Sequence, residues 1–127
     1  MKKLVPLLLA AASFACTPLP RPSGTPLPEG ARYVALGHSF ASGPLLGPPK
    51  PGSPPRCGRT AANYATLLAQ RLRLTLVDVT CGGAKSQHIL GPWDELPAQI
   101  ESVTADTRLV TLSIGGNDVG YAIYPKQ

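Results

Sequence analysis

Three short apolar runs, each followed by a glycine-containing turn, set the pattern of the chain from residue 32 onward. They are RYVALG (32–37), LTLVDVT (74–80) and RLVTLSIGG (108–116). Apolar, β-branched runs of this length are typical of strands covered on both faces, as in parallel sheets. The sequence therefore predicts three buried parallel strands.

Two candidate helices lie between these strands. The segment TAANYATLLAQRLR (60–73) has apolar residues at helical spacing, and Thr60 could cap it. The segment WDELPAQIESV (93–103) predicts a weaker helix, because Pro97 fits only in a first turn. The order strand, helix, strand, helix, strand is half of a doubly wound α/β sheet with right-handed crossovers. Between them, the six prolines of residues 44–55 predict an irregular loop.

The N-terminal residues carry a different pattern. Lys2 and Lys3 precede the apolar run LVPLLLAAASFA and then Cys16, which is the layout of a secretory signal over residues 1–15. The run is too short for a permanent span, which needs about 20 apolar residues. A cut before Cys16 is also where a bacterial lipoprotein signal is cleaved to leave a lipid on the cysteine. Ser13 stands where such signals usually carry leucine, so ordinary secretion is the alternative.

A proline-rich stretch follows, and we interpret residues 16–30 as an extended linker to a globular part at 31–127. The predicted protein is thus exported, and is either extracellular or attached to a membrane through a lipidated Cys16.

Charge and cysteine content exclude several classes of function. Lys2 and Lys3 contribute two of the five net positive charges, and the remaining basic residues form no block. Nucleic-acid binding therefore has no support. In an exported protein, Cys57 and Cys81 are most simply a disulfide, although free thiols remain the alternative without export. Neither has a second ligand at zinc-site spacing, so no metal is expected.

Polar, glycine-containing turns follow all three strands: GHS, CGGA and GGND. Ligands of open α/β sheets bind at the carboxyl ends of the strands. Ser39 could supply a nucleophilic hydroxyl and its own N–H, Gly83 a second backbone N–H, and Asn117 a side-chain amide, all directed at one oxyanion. Taken singly, each has a simpler role: Ser39 as a helix cap, Gly83 as a chain turn, and Asn117 as a β-turn residue.

The blocks GHSFASG, CGRTAANY, DVTCGGAK and TRLVTLSIGGNDVGY together resemble the SGNH, or GDSL, hydrolases. The resemblance runs from Tyr33 to Tyr121 and is greatest to the secreted, disulfide-bearing lipase-like branch of actinobacterial type. It implies a flavodoxin-like three-layer α/β/α fold and hydrolysis of small-molecule or lipid esters. It also implies Ser39 as nucleophile and first oxyanion donor, Gly83 as second and Asn117 as third. The chemistry needs no metal or organic cofactor.

Two departures from the family pattern limit this expectation. His38 stands where the family has aspartate, and the family's D-x-x-H motif, which supplies the catalytic histidine near the C-terminus, is absent from these residues. We therefore expect the N-terminal part of the fold only, β-α-β-α-β, and impaired esterase activity. The alternatives are a lipid-anchored ester-binding module without turnover and a non-functional gene remnant.

The two histidines are not expected to replace the missing base. Side chains of adjacent residues usually diverge, so His38 should take the supporting place of the family aspartate and point away from Ser39. His88 is expected to be a solvated loop histidine. A sheet with only three strands and two helices should also have one poorly covered face and an open edge, which predicts marginal stability.

Overall fold

The computed structural model describes residues 24–120. The predicted signal, Cys16, the first part of the linker and residues 121–127 lie outside the described residues. Residues 24–30 contain no strand or helix and end in a turn. No helix within 24–120 has the length and apolarity that crossing a membrane would require.

A parallel sheet of three strands forms the centre of the fold. The strands are β1 (Arg32–Gly37), β2 (Thr75–Asp78) and β3 (Thr107–Ser113), arranged in the order β2-β1-β3. Strand β1 pairs with β2 from Arg32↔Thr75 to Ala35↔Asp78, and with β3 as far as Gly37↔Ser113. The prediction of three parallel strands is confirmed, but the prediction that all three are buried is wrong. Only β1 is buried, because it is the central strand, whereas the residues of β2 and β3 are half-buried or exposed.

Short helices cover the two faces of the sheet and complete a three-layer α/β/α arrangement. They are α1 (Ser39–Ser42), α2 (Tyr64–Leu72) and α3 (Gln87–Leu90), with 3-10 turns at Pro55–Cys57 and Gln99–Ser102. Tyr33 and Ala35 pack against Ala65 and Ala69 of α2 on one face. On the other face, Val34 and Leu36 pack against Ile89 of α3. The alternation along β1 thus supplies two separate apolar cores.

The helix predicted at 60–73 forms, but its cap was predicted wrongly. Asn63 caps α2, because its Oδ1 accepts the N–H of Thr66 at 2.9 Å. Thr60 instead donates its hydroxyl to the Gly43 carbonyl at 2.9 Å. This bond joins the segment before α2 to the end of α1, on either side of the proline-rich loop (residues 44–55).

The prediction of a helix at 93–103 is wrong, because no α-helix forms there. Trp93 and Leu96 form a tight turn, and only the 3-10 turn Gln99–Ser102 follows Pro97. Proline lacks an N–H and disfavours helical conformation in the preceding residue, so the helix cannot extend through this position. The α-helical turn of this crossover is α3, which lies before Trp93 and was not predicted.

The disulfide joins the proline-rich side of the fold to the end of β2. Cys57 and Cys81 are bonded and buried, which confirms the predicted pairing. Next to the bond, the Gly82 N–H donates to the Cys57 carbonyl at 2.9 Å. The disulfide therefore fixes the turn that follows β2, in which Gly83 lies.

One face of β3 is less covered than the rest of the sheet. Val110 and Leu112 are exposed, and within residues 24–120 no strand pairs with the outer side of β3. This agrees with the expected poor coverage of one face; marginal stability stays a prediction.

Candidate active site

Strand β1 ends at a sharp turn that places Ser39 at the start of α1. Gly37 has φ +140°, and a Cβ at this position would collide with the Ser113 carbonyl oxygen. Only glycine fits a backbone that approaches the neighbouring strand so closely. Ser39 is half-buried and borders a shallow depression of about 250 Å³. That depression is lined by Ser39, Phe40, Gly43, Pro44 and Leu46.

His38 is the N-cap of α1. Its Nδ1 accepts the N–H of Phe40 at 3.3 Å, and the ring is buried beside Gly116 in a T-shaped contact with Phe40. A cap of this kind needs a ring nitrogen without a proton, as a carboxylate oxygen would serve in an aspartate. The imidazole therefore supports the turn that carries Ser39.

The turns after the three strands are joined to one another by hydrogen bonds. The His38 N–H donates to Ser113 at the end of β3, and the Cys81 N–H donates to Gly37, both at 2.9 Å. The Asn117 Nδ2 donates to the Ala84 carbonyl at 2.8 Å. The segments that contain Ser39, Gly83 and Asn117 therefore meet at one edge of the sheet.

The Gly83 turn is exposed and conformationally specific. Gly83 has φ +83°, and a Cβ there would lie 3.2 Å from Cη2 of Trp93. The Trp93 ring stacks on His88 with centroids 4.2 Å apart, and the Arg56 guanidinium lies 4.4 Å from its centroid. A packed aromatic and cationic stack therefore supports the turn.

The expectation that His88 is solvated is wrong. His88 is 8% exposed, stacks on Trp93, and accepts the Lys85 N–H at Nδ1 over 3.1 Å. The cause is α3, which turns the ring inward against the indole. Within residues 24–120, the Ser39 hydroxyl has no hydrogen bond to His38 or to His88.

A buried carboxylate braces α1 and α2 from the end of β2. The Asp78 side chain is 3% exposed and accepts hydrogen bonds from Thr80, Asn63 and Lys50. Burial alone would raise the pKa of Asp78, but these hydrogen bonds and the Lys50 charge outweigh it and lower the pKa. Asn63 also donates to the Ser42 carbonyl at 3.4 Å, which connects this network to α1.

Sequence reasoning missed Gln99, a residue 62 positions from the strand end that it contacts. Its side chain is 6% exposed; Oε1 accepts the Gly37 N–H at 2.7 Å and Nε2 donates to the Gly37 carbonyl at 3.1 Å. The only signal in the sequence was a polar residue between Ala98 and Ile100, which did not distinguish it from a surface glutamine.

The described part of the chain contains no group of three histidine, cysteine or carboxylate residues arranged to hold a metal ion. The chemistry that this edge of the sheet can support is binding of a carbonyl group near a serine hydroxyl, with N–H donors on the neighbouring turns.

The chain resembles known proteins over most of its length. The model of the GDSL-like Lipase/Acylhydrolase family matches residues 35–127. Lipase 2 of Streptomyces coelicolor is 38% identical over 87 residues, which is 68% of this chain and 29% of that protein. The lipase of Streptomyces rimosus is 34% identical over 120 residues, which is 94% of this chain and 40% of that protein.

Two solved structures are also similar. Phospholipase A1 from Streptomyces albidoflavus NA297 has a TM-score of 0.62 and 36% identity, and the extracellular lipase from Streptomyces rimosus has 0.63 and 33%. Each match covers 73% of this chain and 37% of the solved chain. The chain therefore spans well under half the length of the relatives that it matches.

Proposed function

The chain belongs to the GDSL-like lipase/acylhydrolase family, and from this premise we propose that its strand-end turns form the acyl-binding part of a serine ester hydrolase. The substrate class is a carboxylic ester, either a small molecule or a lipid. The names of the relatives, which include lipases and a phospholipase A1, support this choice.

In the proposed reaction, Ser39 Oγ attacks the ester carbonyl carbon and the carbonyl oxygen becomes negative. The N–H groups of Ser39 and Gly83 and the Nδ2 of Asn117 stabilise that charge. One such donor is typically worth about 2.7–4 kcal/mol, because it is held in place before the charge develops.

The observation that carries the proposal is the hydrogen bond from Asn117 Nδ2 to the Ala84 carbonyl. It joins the third turn to the second and uses one N–H of the amide, so that the other has a fixed direction. An oxyanion donor needs a fixed direction of this kind, because it must already face the carbonyl oxygen when the charge develops.

The proton of the Ser39 hydroxyl needs an acceptor, and neither His38 nor His88 is placed to take it. Their Nδ1 atoms already accept the backbone N–H groups of Phe40 and Lys85. In serine proteases, loss of the histidine costs on the order of 10⁶ in turnover, while a residual 10³–10⁴ over water remains. We therefore propose slow turnover from residues 24–120 alone.

The engagement of both histidines also favours a second candidate, an ester-binding module without turnover. It would use the same donors and the same depression beside Ser39, but would hold the ester rather than cleave it. The non-functional remnant that the sequence also allows would retain neither binding nor turnover.

Butylboronic acid tests the site without requiring a catalytic base. Its boron accepts the Ser39 oxygen, the hydroxyl proton goes to solvent, and the product is a tetrahedral boronate anion that resembles the intermediate of ester hydrolysis. ¹¹B NMR distinguishes this species from the free trigonal acid. We expect an adduct with the wild-type chain and with Ser86→Ala, an exposed serine control, and none with Ser39→Ala.

Asn117→Ala should weaken the adduct by about 10²-fold, because it removes one oxyanion donor. An adduct that persists in Ser39→Ala, or no adduct with a folded wild-type chain, contradicts the proposal. Hydrolysis of a short-chain nitrophenyl ester that Ser39→Ala abolishes would favour the enzyme over the binding module.

We further propose that the protein is exported and carries a lipid on Cys16. The signal pattern of residues 1–16 supports export, as does the extracellular relative. Labelled palmitate in a bacterial host should enter the wild-type protein and not Cys16→Ser. If the wild-type protein and Cys16→Ser are processed equally and neither takes up label, the lipid is excluded and the protein is secreted with a free thiol at Cys16.

A further inference from the structure

The end of β1 continues beyond the strand that pairs with it. Strand β2 pairs with β1 only as far as Ala35↔Asp78, two residues before Gly37. On the β2 side, Cys81 supplies one donor to the Gly37 carbonyl. The Gly37 N–H has no strand partner there and is met by the side-chain amide of Gln99.

The Gln99 amide takes the place of a peptide group in the sheet. It accepts the Gly37 N–H at 2.7 Å and donates to the Gly37 carbonyl at 3.1 Å, so that both polar groups of one residue are bound by one side chain. The glutamine is 6% exposed. A buried backbone N–H that lost this acceptor would be strongly disfavoured and would move to find another.

Gly37 has a backbone conformation that few residues other than glycine adopt. Its φ of +140° is open to glycine and closed to most other residues, and no Cβ can be added because of the Ser113 carbonyl. His38, the next residue, is bound from the opposite side by its N–H to Ser113. Gln99 and β3 therefore hold the chain from both sides immediately before Ser39.

From this geometry we propose that Gln99 is a positioning residue, which fixes Ser39 through Gly37 so that the hydroxyl and its N–H face the bound carbonyl. The inference rests on the proposed function, because it assigns Gln99 to the same site. A glutamine with a purely structural role would change global stability and leave the geometry at Ser39 unaltered in the folded protein.

The test replaces Gln99 with methionine, which has a similar length and makes neither hydrogen bond. Gln70→Met, on the exposed side of α2, is the matched control. Butylboronic acid affinity is measured by ¹¹B NMR at a temperature where circular dichroism shows each variant fully folded. We expect about tenfold weaker binding for Gln99→Met, as loss of two modest hydrogen bonds to the turn implies, and wild-type affinity for Gln70→Met.

Amide hydrogen exchange supplies a second readout that needs no ligand. The N–H groups of Ala41 and Ser42 donate to the His38 carbonyl, so they report on the start of α1. In Gln99→Met, exchange should accelerate at Gly37, Ala41 and Ser42 while Val34 keeps its wild-type rate. If the methionine variant does not fold, Gln99→Glu replaces it, since its carboxylate still accepts the Gly37 N–H but cannot donate to the carbonyl.

A folded Gln99→Met variant with wild-type boronate affinity, or with wild-type exchange at Ala41 and Ser42, would overturn the proposal. Absence of any Ser39 adduct in the folded wild-type chain would refute the proposed function instead. In that case exchange alone decides on Gln99: acceleration at Ala41 and Ser42 supports the positioning role, and acceleration confined to Gly37 overturns it.

Discussion

Replacement of Asp78 by asparagine should destabilise the fold by removing the charge at the centre of a buried network. Oδ1 of Asp78 accepts from the Thr80 N–H at 3.1 Å and the Thr80 hydroxyl at 2.7 Å, while Oδ2 accepts from Asn63 at 2.8 Å and Lys50 at 3.1 Å. In Asp78→Asn, the amide oxygen can keep the Thr80 bonds. The amide nitrogen would then face two donors, Asn63 Nδ2 and Lys50 Nζ.

The size of the effect follows from the burial of the two charges. Removal of one partner of a buried ion pair typically costs about 3–5 kcal/mol, because the other charge is left uncompensated. Asp78 is 3% exposed, but the Lys50 side chain is 25% exposed and can turn toward water. We therefore expect a loss of about 2–3 kcal/mol in the free energy of unfolding at neutral pH.

The effect should depend on pH with a definite sign. Burial acts to raise the folded-state pKa of Asp78, but the hydrogen bonds from Thr80 and Asn63 and the charge of Lys50 together outweigh it, so the pKa is lowered. The carboxylate therefore contributes its stability above the unfolded-state pKa of about 3.9, and loses it as the pH falls through the folded-state pKa. The difference between the wild-type chain and Asp78→Asn should shrink in that acid range.

Urea unfolding followed by far-UV circular dichroism, at neutral pH and through the acid range, measures both effects. Asp94→Asn is the control, since Asp94 is 73% exposed and its pairing with Arg56 is worth little. A loss below about 1 kcal/mol for Asp78→Asn, or a difference that grows as the pH falls, would refute the reasoning.

Two further predictions concern the turn after β2. The Cys57–Cys81 disulfide closes a loop with a sequence separation of 24 and should therefore stabilise the fold by about 3.5 kcal/mol. A reductant should lower the melting temperature of the wild-type chain and leave that of the double serine variant unchanged. Equal melting temperatures of the wild-type chain with and without reductant would contradict this. Gly83→Ala should cost about 1–2 kcal/mol for its left-handed backbone and more for its contact with Trp93. Gly52→Ala is the control, because Gly52 has φ +72° and open space around it. Equal losses in the free energy of unfolding for the two variants would exclude a contribution from Trp93.

The strands could be predicted from sequence because their signal is local. RYVALG coincides with β1, since an apolar run that ends in glycine specifies both the burial and the turn. The cap of α2 was misplaced because Thr60 and Asn63 are both capping residues, and the choice between them depends on the distant Gly43 carbonyl that binds Thr60. The prediction of a helix around Pro97 was wrong for a local reason, because proline disfavours helical conformation in the residue before it.

In the candidate site, too, local patterns could be predicted from the sequence and contacts between distant residues could not. The turns at Ser39, Gly83 and Asn117 could be predicted to lie at one edge, because parallel strands bring their carboxyl ends together. The two hydrogen bonds between the Gln99 side chain and Gly37 could not be predicted, since a side chain that binds a strand in place of a neighbouring strand leaves no periodicity and no motif in the sequence. The burial of His88 depended in the same way on an indole that the sequence did not place beside it.

Trp93 is the one tryptophan of the sequence, and its place beneath Gly83 makes it an intrinsic optical reporter. Its indole is held between an imidazole and a guanidinium, two groups to which its fluorescence should respond. A shift of the turn by even a fraction of an ångström would change that environment. Emission from the unlabelled protein should therefore follow events at the Gly83 turn in real time, without a contribution from any other indole.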